Sequence, residues 1–104
     1  TDERKVAILG DMFELGADER KMHYEVGEYA AKKGIDCIIC AGELAKEYYD
    51  GAKAAGKKEN LYYFPSRDEA IENLKDIVKV NDAILVKASH GMKFEKIVEV
   101  LKQM

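Results

Sequence analysis

Two short segments hold the residue types that could bind charged ligands. The first runs Val6-Ala7-Ile8-Leu9-Gly10-Asp11-Met12-Phe13-Glu14-Leu15-Gly16, an apolar stretch that passes through a glycine into a loop with two carboxylates. Asp11 and Glu14 in such a loop could serve a metal ion, a ribose hydroxyl or an amine, because binding residues favour loops on a rigid scaffold. The plainer alternative makes Asp11 a helix cap and Glu14 a solvated side chain. Gly10 and Gly16 suit turns or the close approach of backbone to a ligand. The second segment, Ala83-Ile84-Leu85-Val86-Lys87-Ala88-Ser89-His90-Gly91-Met92, repeats the plan with cations. Lys87, Ser89, His90 and Lys93 surround the start of the last helix, whose free N–H groups and positive dipole end suit a carboxylate or phosphate. The plainer alternative has Ser89 capping that helix and both lysines in water.

Other chemistries find little support. There is no G-x-G-x-x-G fingerprint and no phosphate-binding P-loop, and no Ser-His-Asp or Cys-His arrangement is recognisable. His23 lies on or beside the apolar stripe of the first helix and reads as a packing or polar-edge residue more than as a catalyst. No partner is identifiable that would make His90 a proton shuttle. Tyr62 and Tyr63 flank a strand and Tyr48 and Tyr49 lie on a helix, which is not the stacking platform that single-stranded nucleic acid needs. With 17 basic and 20 acidic residues the net charge is -3, so no basic stripe points to nucleic acid.

Cys37 and Cys40 form a C-x-x-C pattern, yet Cys37-Ile38-Ile39-Cys40 reads as a strand. Residues three apart on a strand face opposite sides and lie roughly 10 Å apart, whereas a disulfide needs Cα atoms within about 7 Å. Two reduced core thiols are expected, which fits a cytoplasmic protein. No apolar run approaches the ~18 residues of a membrane span, and no signal peptide is visible. The start Thr1-Asp2-Glu3-Arg4, without an initiator methionine, leads us to expect an excised piece of a longer protein ahead of a processed product.

The elements that must position these loops alternate regularly. Apolar runs at Lys5–Gly10, Asp36–Ala41, Leu61–Phe64 and Ala83–Lys87 read as strands. The first and fourth are nearly continuous in Val, Ile, Leu and Ala, as strands covered on both faces are. Between and after them the 3.6-residue period appears. Met22, Val26, Tyr29, Ala30 and Lys33 form one stripe, stopped by Gly34. Leu44, Tyr48, Ala52 and Ala55 form the second. Ala70, Ile71, Leu74, Ile77 and Val78 form the third, opened by the capping-box pattern Ser66-Arg67-Asp68-Glu69. Phe94, Ile97, Val98 and Leu101 form the fourth. The β-α alternation predicts one α/β domain over residues 1–104, with a mainly parallel sheet of about four strands and helices on both faces. A strand order of 3-2-1-4 would reverse the winding between the first and fourth strands and place Gly10–Gly16 and Lys87–Lys93 at the switch point. A phosphoacceptor receiver domain is disfavoured, because the third strand ends in Phe64-Pro65 and not in an aspartate.

The motifs together resemble the C-terminal domain of the Mur ligases. Arg4 through Gly16 looks like the opening of that domain. The likeness continues through His23-Tyr24-Glu25-Val26-Gly27 and Ala41-Gly42-Glu43-Leu44-Ala45, and resumes at Val86 through Val98, covering essentially the whole chain. It is strongest to the branch that joins D-alanyl-D-alanine to UDP-N-acetylmuramoyl-tripeptide. Where the family's last loop reads Lys-Gly-Ser-Arg, this chain has Lys87-Ala88-Ser89-His90; an imidazole replaces a fixed bidentate cation and is charged only when protonated.

The resemblance implies a Rossmann-like, three-layer fold and a role in peptidoglycan synthesis as one domain of a three-domain, ATP-dependent ligase. ATP and Mg²⁺ would bind mainly in the N-terminal and central domains, together with the catalytic carboxylates and the UDP-sugar site. The fragment alone would then hold no catalytic residue and no metal, and would be inactive. Its part would be to position the incoming dipeptide and close over ATP, with Asp11 facing the nucleotide or the amine and Lys87 with Ser89 facing a phosphate or carboxylate. The competing expectation is a stand-alone, non-enzymatic α/β binding or interaction module using the same cleft. A P-loop domain upstream in the natural chain would separate the two.

Overall fold

The computed structural model describes residues 4–12, 16–79, 82–88 and 95–102. Four parallel strands, β1 (Lys5–Gly10), β2 (Cys37–Ala41), β3 (Leu61–Phe64) and β4 (Ala83–Lys87), form one sheet in the order β3-β2-β1-β4. The helices α1 (Glu19–Lys32), α2 (Ala45–Ala54), α3 (Arg67–Ile77) and α4 (Glu95–Lys102) follow in alternation, with a short 3₁₀ turn at Gly16–Asp18 leading into α1. The order and the parallel pairing are those expected of the alternating pattern, and the winding reverses between β1 and β4. In register, Val6 lies beside Cys37 on one side and beside Ile84 on the other.

Successive strand residues point to opposite faces, and the sheet therefore builds two cores. Val6, Ile8, Cys37 and Ile39 pack with Ala70, Leu74 and Ile77 of α3 and with Ile97 of α4. Ala7, Leu9, Ile38 and Cys40 pack with Ala45, Tyr48 and Ala52 of α2, and Val26 and Ala30 of α1 join them. Cys37 and Cys40 are free, buried and on opposite sides of the sheet, as their spacing requires. Gly34 ends α1 in the left-handed region (φ 77°), where a side chain would be strained. Ser66 caps α3 by accepting from the Glu69 N–H at 3.2 Å.

The sequence stripe of α1 is turned from its expected direction. Met22 and Tyr29 are 44% and 62% exposed, while His23 and Gly27 are buried. The cause is a close helix crossing. A Cβ on Gly27 would overlap the Tyr48 carbonyl of α2, and one on Gly51 would overlap the Tyr24 carbonyl of α1. Two glycines let the backbones touch, and α1 rotates to bring its smallest residue to the contact. β4 also departs from expectation. Ile84 and Val86 pack on the α3–α4 core, but Leu85, beside Ala7 in register, is 59% exposed.

At the lower edge of the sheet Arg4 and Asp82 tie the start of β1 to the start of β4. The guanidinium Nη2 donates to Asp82 Oδ2 at 2.7 Å and to the Ile77 carbonyl at 2.6 Å, and Nε donates to Asp82 Oδ1 at 3.2 Å. The Lys79 N–H also donates to Asp82. These bonds, Arg4's first, hold the Asp82 carboxyl below its usual value of 3.8.

Gly27→Ala is expected to destabilise the fold by about 1–3 kcal/mol through overpacking, outweighing the ~1 kcal/mol that alanine gains in helix propensity. A urea melt showing net stabilisation would contradict the close crossing. Because the folded Asp82 has the lower pKa, its contribution is complete above 3.8 and is lost as pH falls through the folded value. The stability gap between the wild-type chain and Asp82→Asn should therefore shrink on acidification below that value. A gap independent of pH would sink the ion-pair account.

Candidate functional site

Parallel α/β sheets bind ligands beyond the carboxyl ends of their strands, because the loops and helix N-termini converge there. In this sheet that edge is built around three consecutive residues leaving β1. The Gly10 carbonyl accepts from the Tyr48 hydroxyl at 2.9 Å. The Asp11 carboxylate accepts from the Ala45 N–H at 2.8 Å and from the Glu43 N–H at 3.1 Å. The Met12 N–H donates to His23 Nε2 at 3.0 Å. With Nε2 accepting, the ring proton is on Nδ1, which donates to the Glu19 carbonyl at 2.5 Å. The His23 ring lies 4.8 Å from that of Tyr48, tilted by 50°.

Asp11 therefore caps a helix, and the helix is α2, reached from across the fold. Leu44, at the N-cap position of α2, has no side-chain cap, and the carboxylate meets the helix's free N–H groups and positive dipole end. Gly42 makes room for it: its φ of 128° favours glycine, and a Cβ there would collide with the Asp11 carboxylate. Asp11 is 6% exposed. Burial pushes its pKa above the usual 3.8, and the backbone hydrogen bonds and the nearby His23 only partly offset it. Burial also pushes the Tyr48 phenol up, and the Asp11 charge adds to that shift.

A cavity of about 280 Å³ opens beside Asp11, lined by Gly42, Glu43, Pro65, Ser66 and Arg67 among others. Lys87 ends β4 and faces a different concavity, with Met12 and Met22. Among the sequence's site residues, then, Asp11 and Lys87 are both placed at the carboxyl edge but line separate hollows. Glu14, Ser89, His90 and Lys93 lie outside the described residues. A larger hollow of about 650 Å³ sits at the opposite edge, near Arg4, Asp36 and Lys57, away from the strand ends where such folds hold ligands. Among the described residues no group of His, Cys, Asp or Glu side chains could hold a metal ion.

His23 and Tyr48 are the positioning residues that sequence reasoning passed over. The four-residue spacing of His23 and Gly27, which puts both on one helix face, was the available signal.

A family model described as Mur ligase, glutamate ligase domain, matches residues 1–90. The chain belongs to the Mur ligase family. It is 34% identical over 98 residues to the UDP-N-acetylmuramoyl-tripeptide–D-alanyl-D-alanine ligase of Bacillus subtilis (strain 168), covering 94% of this chain and 21% of that protein. It is 33% identical over 101 residues to the ligase of the same name from Escherichia coli (strain K12), covering 95% of this chain and 21% of that protein. The Mur ligase domain described here thus spans about a fifth of the length of the curated relatives it matches. A crystal structure of MurF from Acinetobacter baumannii superposes with a TM-score of 0.83 at 24% identity, over 100% of this chain and 22% of that one, and shares its fold. No helix among the described residues of the Mur ligase domain is long and apolar enough to cross a membrane.

Asp11→Ala should cost about 1–3 kcal/mol, because two buried N–H groups lose their acceptor. Asp11→Asn keeps one acceptor and should cost about 1 kcal/mol. The folded state binds the Asp11 proton more tightly than the unfolded chain does, so the wild-type chain loses stability as pH rises from 3.8 through the raised folded value. The gap to Asp11→Asn should narrow over that window in urea melts. A gap that widens would mean that the carboxylate is not desolvated.

Proposed function

We propose that this chain is one domain of a three-domain, cytoplasmic ligase of peptidoglycan synthesis. That enzyme joins D-alanyl-D-alanine to UDP-N-acetylmuramoyl-tripeptide at the expense of ATP. The observation that carries the reading is the family match across residues 1–90, joined to relatives of that name at about a third identity along nearly the whole chain. ATP and Mg²⁺ bind mainly in the N-terminal and central domains, where the family keeps its P-loop, and those domains are the chain's first partners. The 104-residue unit is inactive alone.

Its work is positioning. Holding two reactants in register and excluding water lowers a ligation barrier without any catalytic group on this unit. The β1 loop with Glu14 and the β4 loop with Lys87, Ser89, His90 and Lys93 face the interdomain cleft. Lys87 and Ser89 meet a phosphate or carboxylate there. Both Asp11 oxygens already accept from backbone N–H groups, so Asp11 serves the site by fixing Gly42 and the start of α2.

The test is ATP-dependent formation of the pentapeptide product by the natural polypeptide that carries this chain. No ligation by the wild-type protein would remove the reading. Given ligation, Lys87→Ala should reduce kcat/KM at least about tenfold, the loss of one charge-assisted contact, while leaving the melting temperature unchanged. Unchanged kinetics would take Lys87 off the site.

A further inference from the structure

The bond between His23 and Met12 joins two unequal partners. His23 is fully buried. Its Nδ1 donates to the Glu19 carbonyl one turn back on α1, and its ring lies against that of Tyr48. The helix that carries it is held too. Gly27 and Gly51 sit against backbone carbonyls of the facing helix, and Arg20 of α1 pairs with Glu47 of α2 at 3.2 Å. Met12 lies beyond Gly10, the last residue of β1, and is only half-buried. The contact from the Met12 N–H to His23 Nε2 at 3.0 Å thus ties a movable donor to a fixed acceptor.

That tie exists for one protonation state of the ring. A neutral imidazole has one N–H and one acceptor nitrogen, whereas a charged one has two donors and no acceptor. Nδ1 already donates, so an added proton goes to Nε2 and sets a second donor against the Met12 N–H. Two donors repel, and the partner free to yield is Met12. Histidine is the side chain that changes charge between roughly pH 5 and 8. Charged and titratable groups surround this one. Asp11, at the end of β1, interacts with it electrostatically. Tyr48, on α2, is a phenol whose ionisation burial pushes up. Glu19 is on the ring's own helix, the Arg20–Glu47 pair bridges α1 and α2, and Lys87 of β4 lines the same hollow as Met12. A proton taken up by Asp11 acts elsewhere, because its oxygens accept from the Glu43 and Ala45 N–H groups at the start of α2.

We propose that His23 is a proton-operated latch on the exit from β1: the neutral ring holds the Met12 backbone, and the charged ring lets it go. Met12 leads directly toward Glu14 in the chain. The consequence for activity rests on the ligation reading: ligation is lost as pH falls through the titration of this one ring. The latch itself does not rest on that reading, since Met12 is held or released with no substrate present.

The test uses the natural full-length polypeptide, isotopically labelled at the nitrogens of histidine and methionine, with the two signals assigned from His23→Gln and Met12→Leu. NMR of the ring nitrogens gives the tautomer and the titration midpoint of His23, and amide exchange gives the protection of Met12. Above the midpoint the ring should carry its proton on Nδ1. Through the midpoint the Met12 protection factor should fall about fivefold or more as pH drops, the loss of one hydrogen bond. Protection that does not change there overturns the latch, and so does a ring that takes up no proton before the chain unfolds. His23→Gln keeps an acceptor that does not titrate, so the ratio of wild-type to His23→Gln kcat/KM should fall with the ring's midpoint. A ratio independent of pH, with ligation present, overturns the role of the latch in ligation. Absence of ligation at every pH removes the ligation reading instead, and the Met12 measurement still decides the latch.

Discussion

The backbone contact between α1 and α2 is the constraint on which the rest depends. Gly27 and Gly51 lie against each other's helix carbonyls, and only at that separation can both helices reach the same end of β1. α2 sends Tyr48 to the Gly10 carbonyl and offers its N-terminus to Asp11, while α1 sends His23 to the Met12 N–H. Each bond is worth about 0.5–1.5 kcal/mol net, yet leaving a buried partner orphaned costs about 1–3 kcal/mol. The three are therefore held as a set. Widening the helix pair by one methyl would stretch all of them at once, because α1 and α2 carry the partners.

That coupling gives the carboxyl edge its character. The loop that carries Glu14 leaves from a fixed platform of three residues. At the opposite edge the Arg4–Asp82 pair fixes where β4 begins relative to β1, and the register of Leu9 beside Lys87 fixes where β4 ends. A domain that works by positioning needs rigid starting points for its loops more than it needs reactive groups of its own. The buried polar bonds supply that rigidity where a purely apolar core would leave the strand ends free to fray.

The sheet was legible because its signals are local. Each strand is a short apolar run, each helix has its period, and the Ser66 cap acts within four residues. The opposite burial of Cys37 and Cys40 follows from strand geometry alone. The face of α1 was legible only in part: Val26 and Ala30 of the expected stripe pack on the core, but a helix packed through glycine puts its smallest residue at the contact, against the rule that large apolar residues mark the core. Met22 and Tyr29 looked like core and are exposed; His23, which read as a packing or polar-edge residue, is fully buried. The partner of Asp11 was hidden for another reason. Its N–H donors lie 32 and 34 residues away, and a cap supplied across the fold leaves no mark in the local pattern. The aspartate was recognisable as a cap or a ligand; which helix it caps needed the tertiary structure.

These commitments divide the charges at the carboxyl edge. Asp11 spends both oxygens on α2, and its burial raises the cost of keeping it charged. A second charge brought beside it would find a carboxylate already turned inward, screened by Gly42 and the Glu43 and Ala45 N–H groups. Lys87 is exposed at the end of β4 and makes no ion pair among the described residues. Of these two residues, the exposed cation lies at the end of β4 and the buried carboxylate at the end of β1. The two strands at the switch point differ in kind, one held by hydrogen bonds at three consecutive residues and the other carrying charge at an open edge.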